Sequence, residues 1–143
     1  MAFLTKEDLI SVCDIEIIDI ITNGNNDITE TIINESIDKM KSFLSRRYDI
    51  DTIFSAIGAD RKSIIVKYLK DIVIFEIYER HSREGANEVV ERRYTEAMAW
   101  LGKINNGEFA DSTLPPKPKT TLNTSTDGED IRFGSNKKYT SIY

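Results

Sequence analysis

The chain has 143 residues, of which 40% are hydrophobic and 30% are charged, a composition that favours a single globular domain with a core of its own. The net charge of −5 comes without any dense block of Lys and Arg, so the sequence lacks the electrostatic footprint of a tight nucleic-acid binder. Its longest apolar runs are only a few residues long, which argues against a membrane-spanning segment.

The single cysteine, Cys13, excludes an intramolecular disulfide. Because the sequence also shows no signal peptide, we expect the chain to be made in the cytoplasm. Its charge is unevenly distributed: residues 1–40 hold nine Asp and Glu against two Lys, whereas residues 111–143 hold five basic and four acidic residues. The negative charge therefore belongs mainly to the beginning of the chain.

The first predicted element is a short helix that begins after Thr5, a residue able to cap free N–H groups. The next segment, residues 14–22, is rich in isoleucine, which suits a strand as well as a helix. Asp14 is a plausible N-cap and acidic residues follow it closely, so a helix is favoured. Residues 23–27 then form a turn by composition.

Apolar residues recur at helical spacing from about residue 28 to residue 48, which predicts a long helix. A connector at 51–59 follows, in which Ile57 is among the residues expected at the edge of the core. Asp60 is predicted to cap the next helix, where eleven of the fifteen residues in 64–78 are apolar or aromatic. A helix that is apolar on most sides must be covered on most sides, so this one is predicted to be central.

The last helix of the body is predicted from about residue 87 to residue 104, with Gly107 or a preceding asparagine as its left-handed cap. Its expected buried stripe consists of Val89, Val90, Tyr94, Ala97, Met98, Leu101 and Ile104. Residues 1–110 are therefore predicted to fold as an all-α protein, a small helical bundle around a central apolar helix.

Residues 111–143 differ in composition, since seventeen of these thirty-three residues are Pro, Gly, Ser, Thr or Asn. Such a segment cannot bury enough apolar surface to offset its ordering entropy. It is predicted to be an extended C-terminal arm that contacts other subunits or partners, with Ile131–Phe133 able to pair as a short strand with a partner's edge. The candidate contact residues of the arm are Ile131, Arg132, Phe133, Tyr139, Ile142 and Tyr143.

The sequence indicates no catalytic, cofactor-binding or metal-binding residues. Cys13 and His81 are the only residues of their types, and neither has a nucleophile or zinc signature around it. Residues 23–27 imitate the start of a calcium-binding EF-hand loop, but Ile28 stands where glycine is needed and Asn34 where glutamate is needed. A polar turn is the simpler interpretation, and the protein is expected not to be an enzyme.

Two arginine pairs are the remaining candidates for contact residues. Arg46 and Arg47 lie close in sequence to Asp49, and Arg92 and Arg93 directly follow Glu91. Neighbouring acids favour surface or intersubunit salt bridges, and binding to a DNA backbone is the alternative.

Several motifs of the body resemble the small helical head–tail connector, or neck adaptor, proteins of tailed bacteriophages, especially the group found in Mu-like prophages. The resemblance covers about residues 3–108 and depends on the order and spacing of its motifs. These motifs are the segments 3–9 (FLTKEDL), 43–48 (FLSRRY), 77–80 (IYER), 91–94 (ERRY) and 97–101 (AMAWL), followed by Gly107.

The resemblance implies a structural role in the neck of the virion, without catalytic residues or cofactors. Proteins of this type form a homo-oligomeric ring, typically of twelve copies, beneath the portal protein. The ring extends the DNA channel and docks downstream neck and tail proteins, and DNA passes through it without specific binding. The acids of residues 1–40 would suit a channel wall that repels phosphates. No membrane is involved.

Two other roles stay open at this point. A tail-completion or tail-terminator subunit is one, although those proteins more often have mixed α/β folds. The other is a bacterial helical adaptor or regulator that binds a single partner through its arm. Assembly into a ring with the portal protein would separate the connector from the regulator.

Overall fold

The computed structural model describes residues 2–80 and 85–118. These residues form an all-α bundle without a β-strand, as predicted. Its elements in chain order are a 3-10 helix at Lys6–Ser11, α1 (Ile15–Thr22), α2 (Asn26–Leu44), α3 (Ile50–Ser55), a second 3-10 helix at Gly58–Asp60, α4 (Ser63–Arg80) and α5 (Glu88–Asn106). Within the described ranges, every helix is too short or too polar to span a bilayer.

The predicted central helix is confirmed as α4, which packs against α1, α2, α5 and the first 3-10 helix. Burial on several sides follows from its sequence, because apolar residues occupy most of its circumference. Its buried residues are Ile65, Leu69, Asp71, Ile72, Val73, Ile74 and Ile77. Asp71 is the one carboxylate among the buried residues of the described chain.

A polar cluster joins the three long helices beside this core. The Nζ atom of Lys39 on α2 donates to Oε2 of Glu76 on α4 at 2.8 Å and to the hydroxyl of Tyr94 on α5 at 3.2 Å. Although partial burial lowers the pKa of Lys39, its hydrogen bonds to Glu76 and Tyr94 raise that pKa overall. The charged form of the lysine therefore helps to hold the helices in register.

The N-terminal predictions are confirmed in outline. Thr5 precedes the first 3-10 helix, and its backbone N–H donates to Oδ2 of Asp8 at 2.9 Å. Residues 14–22, which suited either a strand or a helix, form α1 with Asp14 as the N-cap. The helix ends at Asn23, whose φ of 56° places it in the left-handed region that asparagine tolerates.

Two predicted boundaries are wrong, and tertiary contacts explain both. The helix α2 ends at Leu44, not at Tyr48, because Tyr48 leaves the helix to form an isolated antiparallel bridge with Pro116. Asp60 does not cap α4, which begins only at Ser63, since Asp60 ends the second 3-10 helix and Arg61 has an extended backbone.

Two predicted core positions are also wrong: Ile57 is 45% exposed and Val89 is 42% exposed. The other end of α5 agrees with the prediction, because Gly107 adopts a φ of +80° and caps the helix in the left-handed conformation. At its beginning, Asn87 accepts a hydrogen bond from the backbone N–H of Val90 at 3.0 Å.

Candidate interaction surface

Arg61 ties the N-terminal segment to the start of α4. Its Nη1 atom donates to the carbonyl of Phe3 at 2.8 Å and to Oδ2 of Asp8 at 3.0 Å. Burial alone would raise the pKa of Asp8, but the hydrogen bonds from Arg61 and Thr5 lower it below the ordinary value. The first 3-10 helix therefore lies fixed beside α4, and one wall of a cleft is formed.

This basic cleft, with a volume of about 510 Å³, has four cations among its lining residues: Arg61, Lys67, Lys70 and Arg93. Lys67 pairs with Asp71 at 3.5 Å, four residues further along α4. The Nζ atom of Lys70 donates to Oγ of Ser11 at 2.7 Å, which leaves its charge uncompensated. With Arg61 paired to Asp8, the cleft keeps an excess of positive charge.

Asp71 lies at the inner side of the basic cleft and is only 6% exposed. Desolvation raises the pKa of this carboxyl, and Glu96 raises it further, while Lys67 and Arg93 act in the opposite direction without cancelling the effect. A buried carboxylate costs free energy unless it is fully paired. The cations of the cleft therefore supply only part of the compensation.

Next to the basic cleft lies a groove of about 760 Å³ between the N-terminal segment and the beginning of α5. We call it the apolar groove after Ile10, Ile17 and Val89, which line it and are 56%, 37% and 42% exposed, respectively. They are three of the six large hydrophobic residues that the described chain exposes. The carboxylates of Asp14 and Glu88 also line the groove, so its surface is mixed in character.

Cys13 and Tyr78 lie at the floor of the apolar groove, with Sγ and Oη 3.9 Å apart. Burial raises the pKa of the Cys13 thiol, and neighbouring Asp14 raises it further, despite the hydrogen bond with Tyr78. Burial likewise raises the pKa of the Tyr78 hydroxyl. A thiol held in its neutral form is a poor nucleophile, so the pair serves packing better than covalent chemistry.

The basic cleft and the apolar groove form one continuous surface, because Ser11, Val12 and Arg93 line both of them. We call it the cleft–groove surface. One half offers cations, and the other offers exposed aliphatic side chains beside the carboxylates of Asp14 and Glu88. Such a surface suits a peptide segment that is acidic at one end and apolar at the other.

The beginning of the predicted arm packs beside the ends of α2 and α5. The backbone N–H of Asp111 donates to the hydroxyl of Tyr48 at 2.8 Å, and Leu114 is 4% exposed. The carbonyl of Pro115 accepts from Asp49 N at 3.0 Å, and the N–H of Lys117 donates to the carbonyl of Arg47 at 3.1 Å. Residues 111–118, the arm root, are therefore anchored to the body.

Gly107 brings the arm root and α5 together. A Cβ atom at this position would lie 2.6 Å from Nη2 of Arg47, so the guanidinium packs closely over the glycine. The carbonyl of the same arginine holds Lys117. Arg47 thus contacts the end of α5 with its side chain and the arm root with its backbone.

In the structure, the arginine pair 46–47 lies apart from the pair 92–93. Arg46, Arg47 and Arg92 are exposed, and Arg93 is half-buried on the cleft–groove surface. Within residues 2–80 and 85–118 none of them forms an ion pair. Asp49, the expected acid near the first pair, instead caps α3 by accepting from Thr52, which lowers the pKa of its carboxyl.

The arm residues named as contacts, Ile131–Phe133, Tyr139, Ile142 and Tyr143, lie outside the described residues, as does His81. The boundary between body and arm at residue 110 stays a prediction. Of the described residues, no three His, Cys, Asp or Glu are placed to hold a metal ion. The segment that imitates an EF-hand contains the start of α2, where Asn25 accepts from Asp27 N at 2.9 Å.

The sequence interpretation missed Arg61, Lys70 and Asp71 as parts of a surface. Lys67, Lys70 and Asp71 interrupt the most apolar helix of the chain, which was a usable signal, since charges in such a helix need a polar environment. Arg61 gave no local signal, because its partner Asp8 lies 53 residues away in sequence.

Residues 3–129 match the family model described as Bacteriophage Mu, Gp36. The match extends beyond Gly107 and includes the arm root and part of the arm. No curated protein and no solved structure shows a significant match to the chain. Because the matched residues make up most of the sequence, the chain belongs to the Bacteriophage Mu Gp36 family and is a protein of a Mu-like phage.

Proposed function

We propose that this protein is a structural component of the virion, a head–tail connector subunit that forms a ring beneath the portal protein. The match of residues 3–129 to the phage family carries the proposal. The ring extends the DNA channel, docks downstream neck and tail proteins, and performs no catalysis. Twelve copies are the number that the resemblance to neck connectors implies.

The architecture favours a connector over a tail-terminator subunit. The described residues contain five α-helices and no β-strand, whereas terminators more often mix helices and strands. The polar cluster of Lys39, Glu76 and Tyr94 joins the three long helices, which suits the rigid body that a ring subunit needs. The arm provides the connection to neighbouring subunits.

The acidic beginning of the chain suits a wall of the DNA channel. Of the nine acids in residues 1–40, seven are exposed, and the other two, Asp8 and Asp19, form ion pairs with Arg61 and Lys6. A negative wall repels phosphates, so DNA slides through without specific binding. A reconstruction of the ring that places these seven acids on its outer surface would reject this part of the proposal.

The proposal is tested by mixing the full chain with the portal protein encoded in the same phage genome and imaging the mixture by electron microscopy. We expect a ring of this protein on one end of the portal, with a central channel wide enough for duplex DNA. A chain that stays monomeric and unbound beside intact portal rings would contradict the connector role and favour a regulator.

A further inference from the structure

The arm carries a short segment whose chemistry matches the cleft–groove surface. Three of the four acids in residues 111–143 fall within 127–130, namely Asp127, Glu129 and Asp130, and Ile131 and Phe133 follow directly. The segment is thus acidic at its beginning, and its end is apolar apart from Arg132, which stands between Ile131 and Phe133. The cleft–groove surface offers cations in one half, and in the other it offers exposed aliphatic side chains beside the carboxylates of Asp14 and Glu88.

We propose that residues 127–133 of one copy dock on the cleft–groove surface of a neighbouring copy. The three acids enter the basic cleft, and Ile131 and Phe133 cover the apolar groove. This inference rests on the proposed function, because it describes how adjacent subunits of the ring hold each other.

The charges on the surface suit this occupant. Lys70 and Arg93 form no ion pair with any carboxylate of the described residues, whereas Arg61 and Lys67 are paired with Asp8 and Asp71. In the basic cleft an incoming acidic segment therefore meets two cations without an ion pair in the described residues, whereas Asp14 and Glu88 line only the apolar groove. Because the contact is solvent-accessible, we expect it to weaken as the salt concentration rises.

The apolar half requires the second part of the segment. Ile10, Ile17 and Val89 stay exposed on the free body, and water contact with their side chains is unfavourable. Two large apolar residues placed directly after the acids can cover them without disturbing the ion pairs. An acidic peptide without Ile131 and Phe133 would leave the groove uncovered.

The ring of the proposed function favours a neighbouring copy over the same copy, because an arm that docks on its own body links no subunits. The arm leaves the body at Lys117, which is bonded to Arg47 beside Gly107 at the end of α5. Since α4 and α5 pack antiparallel, with Tyr68 stacked on Trp100 and Phe75 on Tyr94, the basic cleft at the start of α4 lies toward this same end. Docking on the same copy would link residues within one chain, and docking between copies links different chains.

A donor segment and an acceptor surface that are different parts of one body form a heterologous contact between copies. Contacts of this kind close into rings when the rotation between copies is suitable. Docking between copies thus explains how one arm per subunit could link all members of a ring.

The native Cys13 at the floor of the groove reports docking directly. In the full chain, Phe133→Cys should form a disulfide with Cys13 of the next copy under mild oxidation at alkaline pH, which offsets the raised pKa of the Cys13 thiol. Non-reducing gels should show a ladder of linked subunits, with or without portal protein. The matched control is Thr120→Cys, which introduces a thiol outside the docking segment. We expect its yield to be about tenfold lower, because docking raises the local thiol concentration only for the first variant.

Charge exchange tests the basic half and guards against misfolding. In the Phe133→Cys background, Lys70→Glu with Arg93→Glu should reduce the ladder about tenfold. Adding Asp127→Lys, Glu129→Lys and Asp130→Lys should restore it. A misfolded variant would not be rescued by changes in the arm.

Three outcomes decide the proposal. A disulfide within single chains, without a ladder, would overturn docking between copies. A ladder no stronger than that of Thr120→Cys, with hydrogen exchange of residues 10–18 unchanged by Ile131→Ser and Phe133→Ser, would overturn docking altogether. If rings still form on the portal in either case, the connector role stands; a ladder without portal rings would support docking and contradict that role.

Discussion

Asp8, which pairs with Arg61, and Asp71, which lies within α4, have carboxyl pKa values that shift in opposite directions. Ion pairing and hydrogen bonds lower the pKa of Asp8, whereas burial raises the pKa of Asp71. The charged form of Asp8 therefore stabilises the fold, and the charged form of Asp71 destabilises it. Lowering the pH should therefore remove the stabilisation by charged Asp8 and reduce the destabilisation by charged Asp71.

Replacing Asp71 with asparagine should increase the free energy of unfolding at pH 7. The folded pKa of Asp71 lies above its unfolded value near 3.8, so the wild type gains stability from this group as the pH falls through the folded pKa. The difference in the free energy of unfolding between Asp71→Asn and the wild type should shrink as the pH falls over this range. Urea denaturation followed by circular dichroism between pH 3 and pH 7, roughly the range in which such carboxyls titrate, measures both effects.

Asp8→Asn is the matched control, with the opposite sign. It should be less stable than the wild type at pH 7, and the difference should disappear as the pH falls below the unfolded value of 3.8 toward the lower folded pKa. If Asp71→Asn were instead the less stable of the two variants at pH 7, the pairing of Asp71 with Lys67 would outweigh the cost of burying it.

The left-handed backbone conformation at position 107, with a φ of 80°, favours glycine there. Gly107→Ala should reduce the free energy of unfolding by about 1–2 kcal/mol, the cost of a left-handed residue with a Cβ. The clash with Arg47 adds little, because the end of a flexible side chain can move. Denaturant unfolding measures the change.

Gly102 provides the control for this glycine. It lies inside α5, and a Cβ there meets nothing within 4 Å. Gly102→Ala should therefore increase stability by about 0.5–1 kcal/mol. Equal effects of the two substitutions would show that the left-handed cap contributes nothing.

Among the elements, the first 3-10 helix depends on Arg61 more than on its own hydrogen bonds. Arg61→Ala removes charge-assisted bonds to Phe3 and Asp8 and should cost about 1.5–3 kcal/mol. Faster hydrogen exchange in residues 3–11 measures the release of this element. Arg61→Lys keeps the charge but loses the bonds that Nε donates to the carbonyl of Gly58 and Nη2 donates to Asp8, so an intermediate effect is expected.

The elements also show how far sequence patterns reach. The order of the helices, the central position of α4 and the cap at Gly107 followed from apolar spacing and capping chemistry, which are local. The early end of α2 and the late start of α4 could not be predicted from these local patterns. They depend on Tyr48 meeting Pro116 and on Arg61 reaching Phe3, contacts between residues more than fifty positions apart.

The candidate surface was beyond prediction for the same reason. Its walls come from the N-terminal segment, the start of α4 and the start of α5, and no local pattern reports that these segments meet. The exposure of Val89 is a clear example, because its helical spacing is that of a core residue. Its position at the end of the packed region leaves it facing the groove instead.

At the scale of the whole molecule, the arm root and the cleft–groove surface are built from different residues of the bundle. The first is fixed by backbone hydrogen bonds to Arg47 and Asp49 and by the buried side chain of Leu114. Stability and assembly should therefore depend on different parts of residues 111–143. The arm root supports the fold, and the residues beyond it serve contacts between subunits.

Two deletions separate these roles. Removing residues 119–143 keeps every described contact of the arm root, so the free energy of unfolding should stay close to that of the full chain while ring formation on the portal is lost. Removing residues 111–143 also uncovers the site of Leu114 and frees the hydroxyl of Tyr48, which should cost a further 2–4 kcal/mol, roughly the loss of one buried leucine and one hydrogen bond. Urea denaturation measures the free energy of unfolding, and electron microscopy with portal protein shows whether rings form. Normal rings from the shorter deletion would show that subunits hold each other without the arm, and equal stability of the two deletions would show that the arm root does not belong to the folded body.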